Sequence, residues 1–162
     1  MKRLRIVLII AILLVSSSIS RARDYCFPRQ NPCVPFVESL INHAQNSIDV
    51  AMFSFTSRPL AWALVRAAQR GVRVRVVLDD DQARSRWSKY RFLVKRGIPV
   101  KLDNRSAYMH HKFAVIDGKL VITGSYNWTA SAEKRNDENL VVLRMPEFVR
   151  AFEGEFERLW ER

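Results

Sequence analysis

The stretch Tyr108-Met109-His110-His111-Lys112-Phe113-Ala114-Val115-Ile116-Asp117 decides how this chain is read, together with Gly124-Ser125-Tyr126-Asn127 just downstream. Its pattern is H-x-K, four residues, D, six residues, G-S-x-N. The apolar run after Lys112 reads as a strand. Side chains alternate along a strand, so His110 and Lys112 share one face and His111 takes the other. Asp117-Gly118 is a two-residue hairpin signal. The chain then returns through Leu120-Val121-Ile122 and brings Ser125 and Asn127 back to the end where His110 begins. An imidazole, an ammonium, a hydroxyl and a carboxamide therefore converge on one spot. Such a group suits a phosphate. The lysine neutralises non-bridging oxygens, the amide donates a hydrogen bond to them, and the histidine can attack phosphorus or move a proton.

Around this core the chain alternates helix and strand. Val34 to Gln45 reads as a helix with Val37, Leu40, Ile41 and Ala44 on one face, and Ile48 to Phe55 as a central strand apolar on both faces. Pro59 opens a second helix with Leu60, Leu64 and Ala68 buried, Gly71 stops it, and Val72 to Leu78 is the next strand. Helix between strands predicts a β-α-β unit with a parallel pair. Asp79-Asp80-Asp81 at that strand's end reads as a polar cap for the next segment rather than a metal site. Arg84, Arg86, Lys89 and Arg91, interleaved with Trp87 and Tyr90, have two readings. They can grip phosphates and stack on bases, or they are the two faces of a helix running to Arg96. A short strand from Val100 to Leu102, a short helix from Thr129 to Lys134, a strand from Leu140 to Leu143 and a helix from Pro146 complete the order. In the last helix Phe148, Phe152, Phe156 and Leu159 form the core-covering face.

The 162 residues fit one domain, and an apolar fraction of 48% is ordinary for a globular protein. The formal charge of +11 suits a polyanionic partner, nucleic acid or an anionic membrane surface, without choosing between them. Residues 1–20 run from a basic start (Lys2, Arg3, Arg5) through an apolar stretch from Ile6 to Val15 into serines. This is the order of a secretory signal peptide, expected to be cut after Ser20 or Ala22, and the run is short for a membrane span. The alternative is an uncleaved membrane anchor. Cleavage would remove three basic residues and leave +8 (11 − 3). Cys26 and Cys33 are the only cysteines, and in an oxidising compartment they are expected to close a small loop that pins the N-terminus. The expected location is thus exported, periplasmic or secreted.

The H-x-K…D…G-S-x-N spacing resembles the HKD motif of the phospholipase D superfamily. The resemblance extends from about Cys26 to Trp160. Ser54-Phe55-Thr56-Ser57, Arg70-Gly71-Val72, Gly97-Ile98-Pro99 and the run from Thr123 to Asn139 look like the short, single-motif bacterial nucleases of that superfamily. The mitochondrial phospholipase-D-like endonucleases and cardiolipin hydrolases are also similar. The resemblance implies an α/β/α sandwich around a mixed, largely parallel β-sheet, formed by residues 24–162 as one phosphodiesterase domain. The family works through paired motifs, and this chain has one, so the resemblance implies a homodimer with a composite active site. It implies that His110 forms a covalent phosphohistidine while His110 of the partner subunit serves as acid and then base. It further implies that Lys112 and Asn127 bind the non-bridging oxygens, that Ser125 supports them, and that Glu138 orients the histidine. Asp117 belongs to the catalytic motif but sits at the hairpin turn, where a structural role is expected. No metal or cofactor is implied. Three functions stand open: a nuclease acting on DNA and RNA, a phospholipase D acting on phosphatidylcholine or cardiolipin, and a nucleic-acid-binding module with its chemistry lost.

Overall fold

The computed structural model describes residues 23–105 and 107–162, so the expected signal segment lies outside the described residues. Seven strands form one sheet in the order β1-β7-β6-β5-β2-β3-β4. They are β1 (Tyr25–Cys26), β2 (Ser47–Met52), β3 (Arg73–Asp79), β4 (Val100–Asp103), β5 (Lys112–Ile116), β6 (Leu120–Gly124) and β7 (Leu140–Leu143). The helices are α1 (Cys33–His43), α2 (Arg58–Gln69), α3 (Asp80–Arg84), α4 (Tyr90–Lys95), α5 (Ala130–Lys134) and α6 (Pro146–Glu161).

The expected sandwich is present. Strand residues alternate between two apolar layers. Val50, Val76 and Ala114 face the layer of α1 and α2, with Val37, Ile41, Leu60 and Leu64. Ala51, Val77, Phe113 and Val115 face α6, with Val149, Phe156 and Leu159. A sheet buried on both faces needs strands that are apolar on both faces, and β2 is buried from Ile48 onward.

Four features differ from the sequence reading. The sheet is mixed, but it is not largely parallel. β2 pairs parallel with β3 and β3 with β4, whereas the other four pairings are antiparallel. The short connection from β5 to β6 leaves no room for a crossover, so the second half of the chain adds antiparallel strands beside β2. The basic segment after β3 is not one helix. It breaks between α3 and α4, where Ser88 Oγ accepts the Tyr90 N–H and the Lys89 N–H donates to Phe55 O. Serine hydroxyls compete with the helical bond pattern in this way. The β5–β6 turn has positive φ at Asp117 (56°) and Gly118 (60°). Ile116 nevertheless pairs with Leu120, so Lys119 is an extra residue and the connection has three residues. On α6, Phe148 is exposed, and Val149 takes its place in the stripe with Phe152, Phe156 and Leu159.

One buried ion cluster ties α6 to the sheet. Asp49 on β2 accepts from Arg73 (3.1 and 3.2 Å) and Arg75 (2.8 and 3.0 Å), and Arg75 also donates to Glu157. The Arg75 guanidinium lies over Phe156 and Trp160, at 4.8 and 5.3 Å from the ring centroids. The bond to Asp49 raises its pKa against the opposing effect of burial.

Two turn positions generate predictions. The Asp117 carboxylate accepts the backbone N–H groups of Gln45 (2.9 Å), Asn46 (2.6 Å) and Ser47 (3.0 Å), which fixes the start of β2. Burial alone would push this carboxyl up. The amides of Ser47, Asn46 and Gln45 outweigh burial and hold it below the usual carboxylate range. Asp117→Ala is expected to cost about 1–3 kcal/mol at neutral pH in a urea melt, because three donors lose a charged acceptor. A folded-state pKa below the unfolded one gives stability that is present above about pH 4 and is lost as pH falls through the folded value. The variant should therefore lose less of its remaining stability between neutral and strongly acidic pH than wild type. An unchanged acid limb would contradict this role. The second position is Gly124, at φ 152°, where an added Cβ would lie 2.2 Å from Asn139 O. Gly124→Ala is expected to strain the β6–β7 pairing by about 1–3 kcal/mol, read as a lowered Tm.

Candidate active site

The register of β5 on β2 builds the site. Met52 pairs with Lys112, and one step further the Phe53 N–H donates to His111 O at 2.7 Å. His110 therefore stands just outside the strand, at the end of β2 where parallel α/β sheets place their ligands. Met109 before it is buried, and its N–H donates to Asp79 Oδ2 at 3.2 Å. The other Asp79 oxygen accepts from Gln82 N and caps α3. Asp79 is thus the expected polar cap, and it also holds the segment that presents His110.

Phe53 forms the floor. Its ring centroid is 4.4 Å from that of His110, and Lys112 Nζ lies 5.0 Å above it. The sequence reading missed this residue. The available signal was an aromatic side chain directly after a buried strand, at the strand end that faces a ligand. Lys112 Nζ is 3.1 Å from His110 Nδ1 and donates to His110 O at 2.7 Å. Burial lowers the Lys112 pKa, and the Glu138 carboxylate pulls it the other way. His111 takes the opposite face, as expected, with Nε2 at 2.9 Å from Glu155 Oε1 on α6. His43 is occupied on α1, where Nδ1 lies 2.7 Å from Ser39 O.

The Gly124–Asn127 segment repeats the alternation. Tyr126 and Trp128 are buried, while Ser125 and Asn127 point outward. The Tyr126 hydroxyl donates to Glu133 Oε2 at 2.7 Å, and burial pushes its pKa up. Glu133 in turn accepts the Cys33 and Val34 N–H groups at the start of α1, beside the Cys26–Cys33 disulfide. Trp128 O accepts the Thr56 and Ser57 N–H groups. Asn127 Oδ1 accepts the Ser54 N–H at 3.1 Å, which leaves its Nδ2 as the group able to donate to a ligand.

His110, His111, Lys112 and Ser125 line one open cleft of about 540 Å³ together with Phe113 and Phe152. Asn127 lines a second groove together with Ser54. The four expected groups are therefore divided between two depressions, with His110, Lys112 and Ser125 in one and Asn127 in the other. Glu138 does not bond to His110 among the described contacts. It accepts the Ser125 hydroxyl and the Asn136 side-chain amide at 2.8 Å. In the single chain it thus positions Ser125 and acts on Lys112 through its charge. Asp117 requires a correction, because it lies at the opposite end of the β5–β6 hairpin from His110. Seven residues of extended chain separate them by roughly 23 Å, and the Asp117 carboxylate is occupied by backbone amides. It fixes the start of β2.

A family model described as "Cardiolipin synthase, PLD-like domain" matches residues 37–160. Mitochondrial cardiolipin hydrolase of Mus musculus is 42% identical over 142 residues, which cover 83% of this chain and 64% of that protein. A phospholipase D of Rickettsia conorii is 34% identical over 137 residues, covering 84% of this chain and 68% of that one. Among solved structures, Nuc of Salmonella typhimurium, a phospholipase D family member, superposes with a TM-score of 0.80 at 32% identity. That match covers 85% of this chain and 92% of Nuc. The chain spans about three-fifths of the length of the mitochondrial cardiolipin hydrolases it matches. With its single H-x-K motif, its sandwich and these matches, the chain belongs to the phospholipase D superfamily.

Proposed function

We propose that this protein hydrolyses phosphodiester bonds through a phosphohistidine on His110, and that its substrate is nucleic acid cut with little sequence preference. The observation that carries the reading is the Lys112 ammonium beside the His110 imidazole, above the Phe53 ring on an open rim. His110 attacks phosphorus and the bond to the leaving oxygen breaks, with a proton supplied to that oxygen. A water then gives up a proton, attacks the same phosphorus and breaks the phosphorus–nitrogen bond. Lys112 and Asn127 Nδ2 hold the non-bridging oxygens, whose charge grows in the transition state.

The reaction needs an acid opposite the attacking nitrogen, and the other two imidazoles of the chain are hydrogen-bonded elsewhere. Of the three histidines, His111 is turned to Glu155 and His43 to its own helix. The second imidazole is His110 of the partner subunit in a two-fold dimer. The charge of +11 and the likeness to Nuc over nearly all of that chain support nucleic acid as substrate. A second reading has its own support. The higher identity to mitochondrial cardiolipin hydrolases favours a phospholipid diester in the same site. The intact motif weighs against a binding module without chemistry. The Cys26–Cys33 disulfide supports an oxidising, exported location, with the N-terminal segment as signal peptide or anchor.

Turnover of DNA, RNA and cardiolipin vesicles in chelator, side by side, tests the substrate. Nucleic-acid cleavage without lipid hydrolysis is expected, and the reverse would move the protein to the lipid branch. His110→Ala should lower kcat by at least about 10³-fold, as loss of a nucleophile does. Lys112→Ala should lower it by about 10²–10³-fold. Sedimentation should show a dimer, and acid-quenched enzyme should carry at most one phosphohistidine per two chains. An active monomer, or one phosphohistidine per chain, would overturn the composite site.

A further inference from the structure

The groove beyond Asn127 has no part in the chemistry just described. It encloses about 460 Å³ and is lined by Ser54, Thr56, Trp87, Lys89, Asn127 and Ser131, among others. Asn127, whose Nδ2 is proposed above to hold a non-bridging oxygen, lines this groove beside Trp87 and Lys89. A chain whose phosphate sits on Lys112 and Asn127 therefore passes its neighbouring unit into this groove.

The groove wall carries a large aromatic ring that the fold does not need. Trp87 is 62% exposed, on the segment between α3 and α4. Burial does not hold it, but the loop that carries it is fastened, and the Trp87 N–H donates to Ser85 Oγ at 3.4 Å. The Lys89 N–H donates to Phe55 O at 2.9 Å, which fastens the loop to the Ser54–Thr56 segment. Lys89 Nζ donates to Trp87 O at 3.0 Å. The Arg86 guanidinium lies 4.6 Å from the indole centroid and stiffens the ring. The neighbouring cation Arg84 is paired with Asp80, while Arg86 and Lys89 have no carboxylate partner among the described contacts. An exposed, stiffened indole flanked by unpaired cations, in one groove with Asn127, has the chemistry of a nucleobase platform. Aromatic faces stack on any base, and cations track the backbone.

We infer that Trp87 is a stacking subsite for the unpaired base next to the scissile phosphate, with Lys89 and Arg86 set against the flanking phosphates. This rests on the nucleic-acid reading above and adds a substrate preference to it. A duplex keeps its bases stacked on one another, so only a single strand, or a frayed end, can place a base on the indole.

The test uses the full protein and its Trp87→Ala and Trp87→Phe variants on single-stranded DNA, duplex DNA and an abasic phosphodiester chain of equal length. Cardiolipin vesicles form a fourth arm. Trp87→Ala should raise KM for single strands by about 5- to 100-fold, the range of one lost base stack, with a smaller effect on kcat. Trp87→Phe should recover most of that loss. The preference for single strands over duplex should narrow in Trp87→Ala, and the gap between variant and wild type should shrink on the abasic chain. An unchanged KM for single strands, or an equal loss on the abasic chain, would overturn the subsite while nuclease activity stood. A Trp87→Ala protein that sediments as a smaller species than wild type would make the indole a subunit contact and also overturn it. Wild-type protein that hydrolyses cardiolipin and cuts no nucleic acid would overturn the nuclease reading, and the subsite with it.

Discussion

The antiparallel pairing of β2 with β5 is the constraint on which the rest of the structure depends. β5 is buried on both faces, so its register is set by two apolar layers at once. A slip of one residue would exchange the faces of Phe113 and Ala114 and move every side chain to the wrong layer. The same slip would turn Lys112 toward α6 and His111 toward the layer of α1 and α2. Core packing and catalytic geometry are therefore one condition. The bond from Phe53 N to His111 O extends the ladder one step past the strand and holds the Phe53 ring beneath His110.

The second half of the site is held by the same alternation in a segment with no long element of its own. Tyr126 and Trp128 are anchored in the core, so Ser125 and Asn127 between and beside them are placed on the rim. Tyr126 reaches Glu133, and Glu133 caps α1 next to the disulfide. The loop that carries Asn127 is thereby tied to the first helix of the domain. Gly124 permits this path, since β6 and the Asn139 carbonyl approach too closely for any side chain. Functional groups on rigid, over-determined backbone keep their geometry without help from the ligand.

Electrostatics divide the molecule into used and unused charge. Arg73 and Arg75 are consumed by Asp49 and Glu157 to join α6 to the sheet. Asp103 takes Arg105 and Arg162. Lys112 beside His110 and Lys89 beside Asn127 form no ion pair among the described residues. Overall net charge reports only the sum.

Much of this was legible in the sequence. The period-two pattern through His110, Lys112 and the apolar run placed His111 on the far face, because strand geometry allows nothing else. Pro59, Gly71 and the apolar stripes of α1 and α2 marked the β-α-β unit through local backbone chemistry. Other features are non-local. Phe53 and Asp79 lie 57 and 31 residues before His110, and their strand-end positions do not by themselves say which segment they meet. The antiparallel majority of pairings follows from which strand edges β5 and β7 find, a choice among long-range contacts. Glu138 points to Ser125 because the β6–β7 register puts Asn139 against the serine hydroxyl. The break that exposes Trp87 was hidden for the same reason. A basic, aromatic helix and a serine-interrupted loop have the same local composition, and the bond from Lys89 to Phe55, 34 residues away, decides between them. The sequence by itself determined on which face of a strand His110, His111 and Lys112 stand, since that depends on local periodicity. Tertiary structure alone decided what lies beneath, beside and beyond them, since those contacts join segments that only folding brings together.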